Sequence, residues 1–147
     1  PGDEKNRYTS KYLDLPLTPL YPFGYGLSYT TFKYSGVTLS TDKLTDKDSV
    51  IVSVKVKNIG DYDGEEVVQL YVQDLVGSVT RPVKELKGFK KILLKSGEEK
   101  SVDFIIHEKD LRFTAADMKF KSEPGLFKVY VGTNSVDALE NKFELVE

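Results

Sequence analysis

Residues 64–104 read GEEVVQLYVQDLVGSVTRPVKELKGFKKILLKSGEEKSVDF, and this stretch decides the fold. Val68, Leu70 and Val72 point one way, while Val67, Gln69, Tyr71 and Gln73 point the other. A period of two, carried by β-branched and aromatic residues, is a strand with one apolar face. Residues 74–81 break the pattern. Pro82 lacks a backbone donor and suits a strand's first residue or a sheet edge. Val83, Leu86, Phe89, Ile92 and Leu94 carry a second apolar run, interrupted by Gly88. Lys95-Ser96-Gly97-Glu98 reads as a turn. Val102, Phe104 and Ile106 then alternate with Ser101, Asp103 and Ile105. Three strands joined by turns, with no helix between them, make an antiparallel all-β unit.

Outward from this unit the same pattern recurs. Residues 49–58 place Val50, Val52, Val54 and Val56 inward and Ser53, Lys55 and Lys57 toward water. Residues 32–40 form a first strand with Gly36 as a bulge, and 41–47 read as a polar loop. Residues 107–112 suggest a short helical turn with Leu111 tucked in, and 113–121 either a loop or a weak strand holding Phe120. After Pro124-Gly125, Phe127, Val129 and Val131 alternate with Lys128 and Tyr130. A terminal strand over 139–146 keeps Phe143 and Leu145 on one face. About seven strands at turn-punctuated spacing predict an antiparallel two-sheet sandwich, not a βαβ fold.

The totals agree. A chain of 147 residues buries roughly 68–70% of its unfolded surface, so its core needs no disulfide or metal. There is no cysteine, which excludes disulfides and thiolate chemistry. With 21 basic against 23 acidic residues the net charge is -2, and nothing electrostatic calls for nucleic acid. No run of about 18 apolar residues is present, so no helical membrane span is expected.

The N-terminal part differs. Residues 1–7 are polar, and Pro16, Pro19 and Pro22 block both helix and central strand. Tyr12, Leu13, Leu15, Leu17, Leu20 and Tyr21 need cover. The expectation is an extended tail over 1–22, packed on this domain or on a neighbour, followed by a sandwich over 23–147. Gly24 and Gly26 permit positive φ or close backbone approach. A phosphate cradle there lacks the helix and βαβ context that such a loop requires.

Several long segments carry a family resemblance: Glu66-Val-Val-Gln-Leu-Tyr-Val72, Arg81-Pro-Val-Lys-Glu-Leu-Lys-Gly-Phe-Lys-Lys91, Gly97-Glu98, and upstream Pro19-Leu-Tyr-Pro-Phe-Gly-Tyr-Gly-Leu-Ser-Tyr-Thr30. The chain resembles the fibronectin type III-like domain at the C-terminal end of family 3 glycoside hydrolases, the β-glucosidase group. The motifs run in order from residue 19 to about 133. The resemblance implies an immunoglobulin/fibronectin type III-like sandwich, a periplasmic or extracellular setting, and a tail leading from a preceding α/β catalytic domain. It also implies that the nucleophile and acid/base lie in the preceding domains. Ile59 stands where that family more often has Thr, and Phe120 where it has Trp; both bear only on local packing.

The residues themselves offer little catalytic chemistry. Retaining glycoside hydrolysis needs two carboxyl groups about 5–5.5 Å apart. Glu65 and Glu66 are strand neighbours with opposite directions; Glu98 and Glu99 share that fault, and Asp61 and Asp63 lie in a polar loop. His107 is the one histidine and has no second nitrogen or sulfur ligand to join it; it reads as a capping or solvent-facing residue. No catalytic residue, metal or cofactor is expected.

Contact surfaces are the better prospect. Tyr21, Phe23, Tyr25, Tyr29, Arg81, Lys84 and Phe89 are the candidates for contact with the parent's catalytic domains. Residues 81–91 hold five basic side chains and one acid, which reads as a strand edge guarded by lysines. Exposed tyrosines open an alternative: Tyr62, Tyr71 and Tyr130 as a platform for an oligosaccharide or polysaccharide, against the plainer role of covering a sheet or an interdomain contact.

Overall fold

The computed structural model describes residues 19–76 and 84–146. Arg81, Pro82 and Val83 lie outside the described residues, as do the first 18 positions of the expected tail.

Ten strands follow in chain order: β1 Phe32–Leu39, β2 Lys43–Leu44, β3 Ser49–Asn58, β4 Gly64–Asp74, β5 Glu85–Leu94, β6 Glu99–His107, β7 Phe113–Thr114, β8 Phe120–Lys121, β9 Gly125–Gly132 and β10 Ala138–Leu145. They form a three-stranded sheet, β1-β3-β6, and a five-stranded sheet, β2-β10-β9-β4-β5, with β7-β8 as a small hairpin. The fold is the all-β sandwich of fibronectin type III-like form. Its seven long strands are the seven that alternation predicts.

The sheets close on each other because both present an apolar face. Val50, Val52, Val54 and Val56 of β3 are buried, and Ile106, Phe104 and Val102 of β6 stand beside the first three. Val68, Leu70 and Val72 of β4 share one core cluster with them, together with Phe127, Val129 and Val131 of β9. The Phe127 and Phe143 rings stack at 5.6 Å between centroids. Each such side chain stabilises the fold by roughly 1.5–3 kcal/mol relative to exposure.

The β1–β3 register slips between Ser35 and Thr38, where Gly36 takes φ 63°. That is the expected bulge, at a conformation glycine adopts without strain. β5 is an edge strand, as the lysines imply: Lys91 pairs with Glu65 at 2.5 Å and Lys87 with Glu85 at 2.7 Å. Residues 41–47 correct the reading as a plain polar loop. Lys43–Leu44 pairs in parallel with Glu144–Leu145, and Leu44 is wholly buried. One leucine among polar neighbours carries no periodicity; the last strand supplies the ladder.

Between 113 and 121 the weak-strand alternative holds, with Phe113 buried and Phe120 exposed. Glu108–Leu111 is one 3-10 turn, with Leu111 buried and the His107 amide donating to Asp110 Oδ2 at 2.8 Å. Arg112 and Ser122 hydrogen bond to Glu108 and hold its carboxyl below the usual range. Among the described residues, no helix is long and apolar enough to cross a membrane.

One buried polar residue ties the sheets at their end. Asn58 is fully buried at the end of β3. Its Nδ2 donates to the Leu94 carbonyl of β5 at 3.1 Å and to the Tyr62 carbonyl at 2.7 Å. Its Oδ1 accepts from Thr30 Oγ1 at 2.7 Å and from the Gly60 amide at 3.1 Å. Asn58→Ala strands several buried partners and is expected to cost about 3 kcal/mol in urea unfolding. A loss below about 1 kcal/mol, the scale of one ordinary hydrogen bond, would show that Asn58 does not carry this joint.

Candidate functional site

The site grows from the side of β4 that alternation sends away from the core. Gln69 and Tyr71 belong to that side, yet both are buried, Tyr71 to 1% exposure. The cover is residues 23–25 together with the loop over 133–135. Gln69 Nε2 donates to the Gly24 carbonyl at 2.9 Å and to the Thr133 carbonyl at 2.8 Å. The Tyr71 hydroxyl hydrogen bonds to Gln69 Oε1 and reaches the Phe23 carbonyl at 3.3 Å. The Ser135 amide donates to that same carbonyl at 2.9 Å. The Phe23 ring meets the Tyr71 ring edge-on, 6.3 Å between centroids.

Gly24 has φ +80°, and a Cβ there would collide with the Gln69 carboxamide and the Tyr71 hydroxyl. Its place in the chain is therefore set by close approach as well as by backbone angle. Tyr130 is also covered, at 8% exposure. Its hydroxyl donates to Gln73 Oε1 at 2.7 Å, and Lys84 Nζ lies 3.7 Å from its ring centroid. Lys84 also donates to the Ser135 carbonyl at 2.7 Å, and burial lowers its pKa.

Two of the three rings considered for a sugar platform are thus enclosed, which removes them from that alternative and agrees with the plainer role of covering a sheet. The reason is tertiary: the entry segment lies against Tyr71 and Lys84 lies over Tyr130, on a face that a lone strand would leave to solvent. Tyr62 is 69% exposed. Lys84, considered as a contact residue, is engaged inside the domain.

The same hydrogen bonds turn other groups outward. Leu20, Tyr21, Phe23, Tyr25, Leu27 and Tyr29 are all exposed, Leu27 to 90% and Tyr29 to 99%. The Tyr21 and Tyr25 rings lie 5.0 Å apart between centroids. Phe89, also exposed, is the register partner of Gln69 across β4 and β5, and Val67 and Leu93 are open on the same pair. Tyr21, Phe23, Tyr25 and Tyr29 thus share one pinned segment, with Phe89 on the strand pair beside it. Arg81 lies outside the described residues. Apolar exposure on this scale marks interaction surfaces in folded proteins.

Beside the first half of β4 this surface opens into a cleft of about 480 Å³ lined by Gly24, Tyr25, Leu27, Phe32, Tyr34, Glu66 and Gln69, among others. At its wall the Tyr34 hydroxyl donates to Glu66 Oε1 at 2.6 Å. Burial, then the neighbouring carboxylate, drives the Tyr34 pKa far above the ordinary phenol value. Sequence reading missed this pair. The one signal available was a charged residue, Glu66, at a core-facing position of β4.

Other acids serve as ties. Asp63 accepts from the Ser96 amide at 2.9 Å, and Glu98 from the Lys95 amide at 2.8 Å. Among the described residues, no group of three or more His, Cys, Asp or Glu side chains is placed to hold a metal.

Comparison with known proteins gives this surface a context. A family model for the fibronectin type III-like domain matches residues 66–135. A periplasmic β-glucosidase of Salmonella typhimurium is 49% identical over 144 residues, covering 98% of this chain and 19% of that protein. A β-xylosidase of Formosa agariphila is 48% identical over 118 residues, 80% of this chain and 16% of that protein. The crystal structure of a Listeria innocua β-glucosidase in complex with glucose superposes with TM-score 0.86 at 43% identity, over 100% of this chain and 21% of that one. The chain spans about a fifth of the length of the curated relatives it matches.

Two outcomes follow from this geometry. Gln69→Ala and Gly24→Ala should each free the entry segment, raising hydrogen exchange at the Ser135 amide about tenfold while the Val54 amide stays protected. Equal protection in both variants would mean that the segment is held some other way. Tyr34 gives a pH test. Unfolded, its phenol ionises near 10.0; folded, it keeps its proton to higher pH. The folded state therefore binds more protons above about pH 10, and stability falls as pH rises. The fall in urea-unfolding free energy between about pH 9.5 and 11 should be smaller in Tyr34→Phe than in the parent sequence. Parallel curves would remove Tyr34 from that role.

Proposed function

We propose a role that starts from what the chain is: it belongs to the fibronectin type III-like domains of family 3 glycoside hydrolases, the β-glucosidase group, and is an accessory domain. On this reading the parent cleaves terminal β-D-glucosyl or related β-glycosidic bonds with carboxylates housed in preceding domains. Residues 1–22 connect those domains to the sandwich over 23–147. The partner is the parent's own catalytic region, and the setting is periplasmic or secreted. Neither nucleic acid nor a resident cofactor has a part in it.

The observation that supports this best is the clamp on the entry segment. Gln69, Tyr71 and Ser135 grip the carbonyls of Phe23 and Gly24, so the backbone that carries the exposed rings is anchored on the sheet. A docking face that is already ordered loses little conformational freedom on contact. A catalytic fold seated on such a face keeps its cleft geometry better than one on a flexible linker.

The purified chain should release no nitrophenol from aryl β-glucosides or β-xylosides. Turnover abolished by one carboxylate substitution would end the accessory reading. In the full-length parent, replacing Tyr21, Phe23 and Tyr29 together by serine should lower the melting temperature of the unfolding transition that includes this domain. The carbohydrate-binding alternative rests on Tyr62 alone once Tyr71 and Tyr130 are enclosed. Titration calorimetry with cello- and xylo-oligosaccharides should be silent. Saturable heat lost in Tyr62→Ala would restore that alternative.

A further inference from the structure

We propose that the cleft beside the first half of β4 is a receptor for a guanidinium group, supplied by an arginine side chain of the preceding catalytic domain. The proposal rests on the docking role above and gives that contact its central residue.

The cleft exists because two strands part company. β9 pairs with β4 from Gln69 to Asp74 only, so the Gly64–Val68 half of β4 has no strand on that side. Residues 24–28, 30–32 and Tyr34 border the gap instead. Into it reaches Glu66. The residues that share its direction along β4, Val68, Leu70 and Val72, are core; Glu66 is a carboxylate at 7% exposure. A carboxylate with so little exposure is a ready partner for a cation that can donate to it from the open side.

This domain supplies no described cation there. Glu66 Oε1 accepts from the neutral Tyr34 hydroxyl. Neighbouring Glu65 is matched by Lys91, while Glu66 forms no ion pair with a described lysine or arginine. Among the described residues no fully enclosed side-chain oxygen lacks a partner, so Glu66 Oε2 is reached from the cleft.

The shape selects among cations. Tyr25, Phe32 and Tyr34 line the cleft, and a planar guanidinium packs on aromatic faces while donating to a carboxylate. The cleft volume suits a side chain rather than a bare ion. Leu27, which lines the cleft, stands almost fully exposed, as does Tyr29 two residues on. Open apolar groups beside a withdrawn charge would shed their water when a partner covers them, the arrangement found where one arginine anchors an interface.

The first test uses this chain with side-chain carboxyl carbons labelled, titrated with ethylguanidinium, n-butylammonium and glucose and followed by NMR. Ethylguanidinium should shift the Glu66 carboxyl resonance saturably and more tightly than butylammonium. Glu66→Gln should weaken that binding about tenfold, as loss of a charge-assisted hydrogen bond does. Tyr34→Phe, which keeps the carboxylate, should still bind. No saturable shift, an unchanged affinity in Glu66→Gln, or preference for glucose would overturn the proposal.

The second test uses the full-length parent and fixes the source. Glu66→Gln should lower its melting temperature, by an amount that shrinks as salt rises, beyond the effect of the same change in this chain alone. Equal effects in both would overturn the catalytic domain as the source. Silence of the Tyr21, Phe23 and Tyr29 replacement in the parent would instead sink the docking role itself, so the two failures are distinguishable.

Discussion

The structure depends on β4 being covered on both sides. A sandwich strand ordinarily gives one face to the core and one to water. Here Val68, Leu70 and Val72 enter the core, and Gln69 and Tyr71 opposite them are enclosed as well. Enclosure of a carboxamide and a phenol is tolerated only because each finds a partner, and the partners are backbone carbonyls of the entry segment and of the 133–135 loop. The entry segment is thereby part of the fold and not an appendage. Its rings point outward because its carbonyls point inward.

Much of this was legible in the residues, and the limits have physical causes. Period two identified every long strand, since each has an apolar face against the other sheet; β3 shows it most cleanly, with Val50 to Val56 alternating against Ser53, Lys55 and Lys57. Gly36 announced the bulge, and the lysines of β5 announced an edge. β2 was hidden because Lys43–Leu44 draws its order from β10, a hundred residues away. Whether Tyr71 and Tyr130 are open or covered stayed undecided for the same kind of reason. Alternation reports which side of a strand a residue takes, and nothing about what the rest of the chain lays over that side. The exposed aromatic segment was visible as apolar residues without a period; the Glu66 cleft was not, because it comes from β9 stopping short of β4's first half.

The described acids on this domain point in different directions, each toward a partner of its own. General acid and nucleophile must converge on one bond from opposite sides. Glu65 and Glu66 diverge across the pleat; one meets Lys91 on the sheet surface and the other turns toward Tyr34. Asp63 and Glu98 hold turn amides, and Glu108 is engaged by Arg112 and Ser122. Each of these carboxylates has a structural employment that fixes its direction. Such ties stiffen loops between strands, which serves a scaffold better than a catalyst.

A scaffold acts by being harder to deform than what it supports. Asn58 locks the end of the three-stranded sheet to β5, while Gln69 and Tyr71 lock the entry segment to β4. The two locks lie along the same path: Thr30, which hydrogen bonds to Asn58, follows the exposed run that begins at Leu20. The outward-facing rings from Phe23 to Tyr29 therefore lie between two buried polar joints, with Tyr21 just before the first. A load applied to those rings passes into both sheets, because neither joint can yield without exposing unpaired buried groups. That coupling, more than the apolar area itself, suits this segment to carry a neighbouring domain.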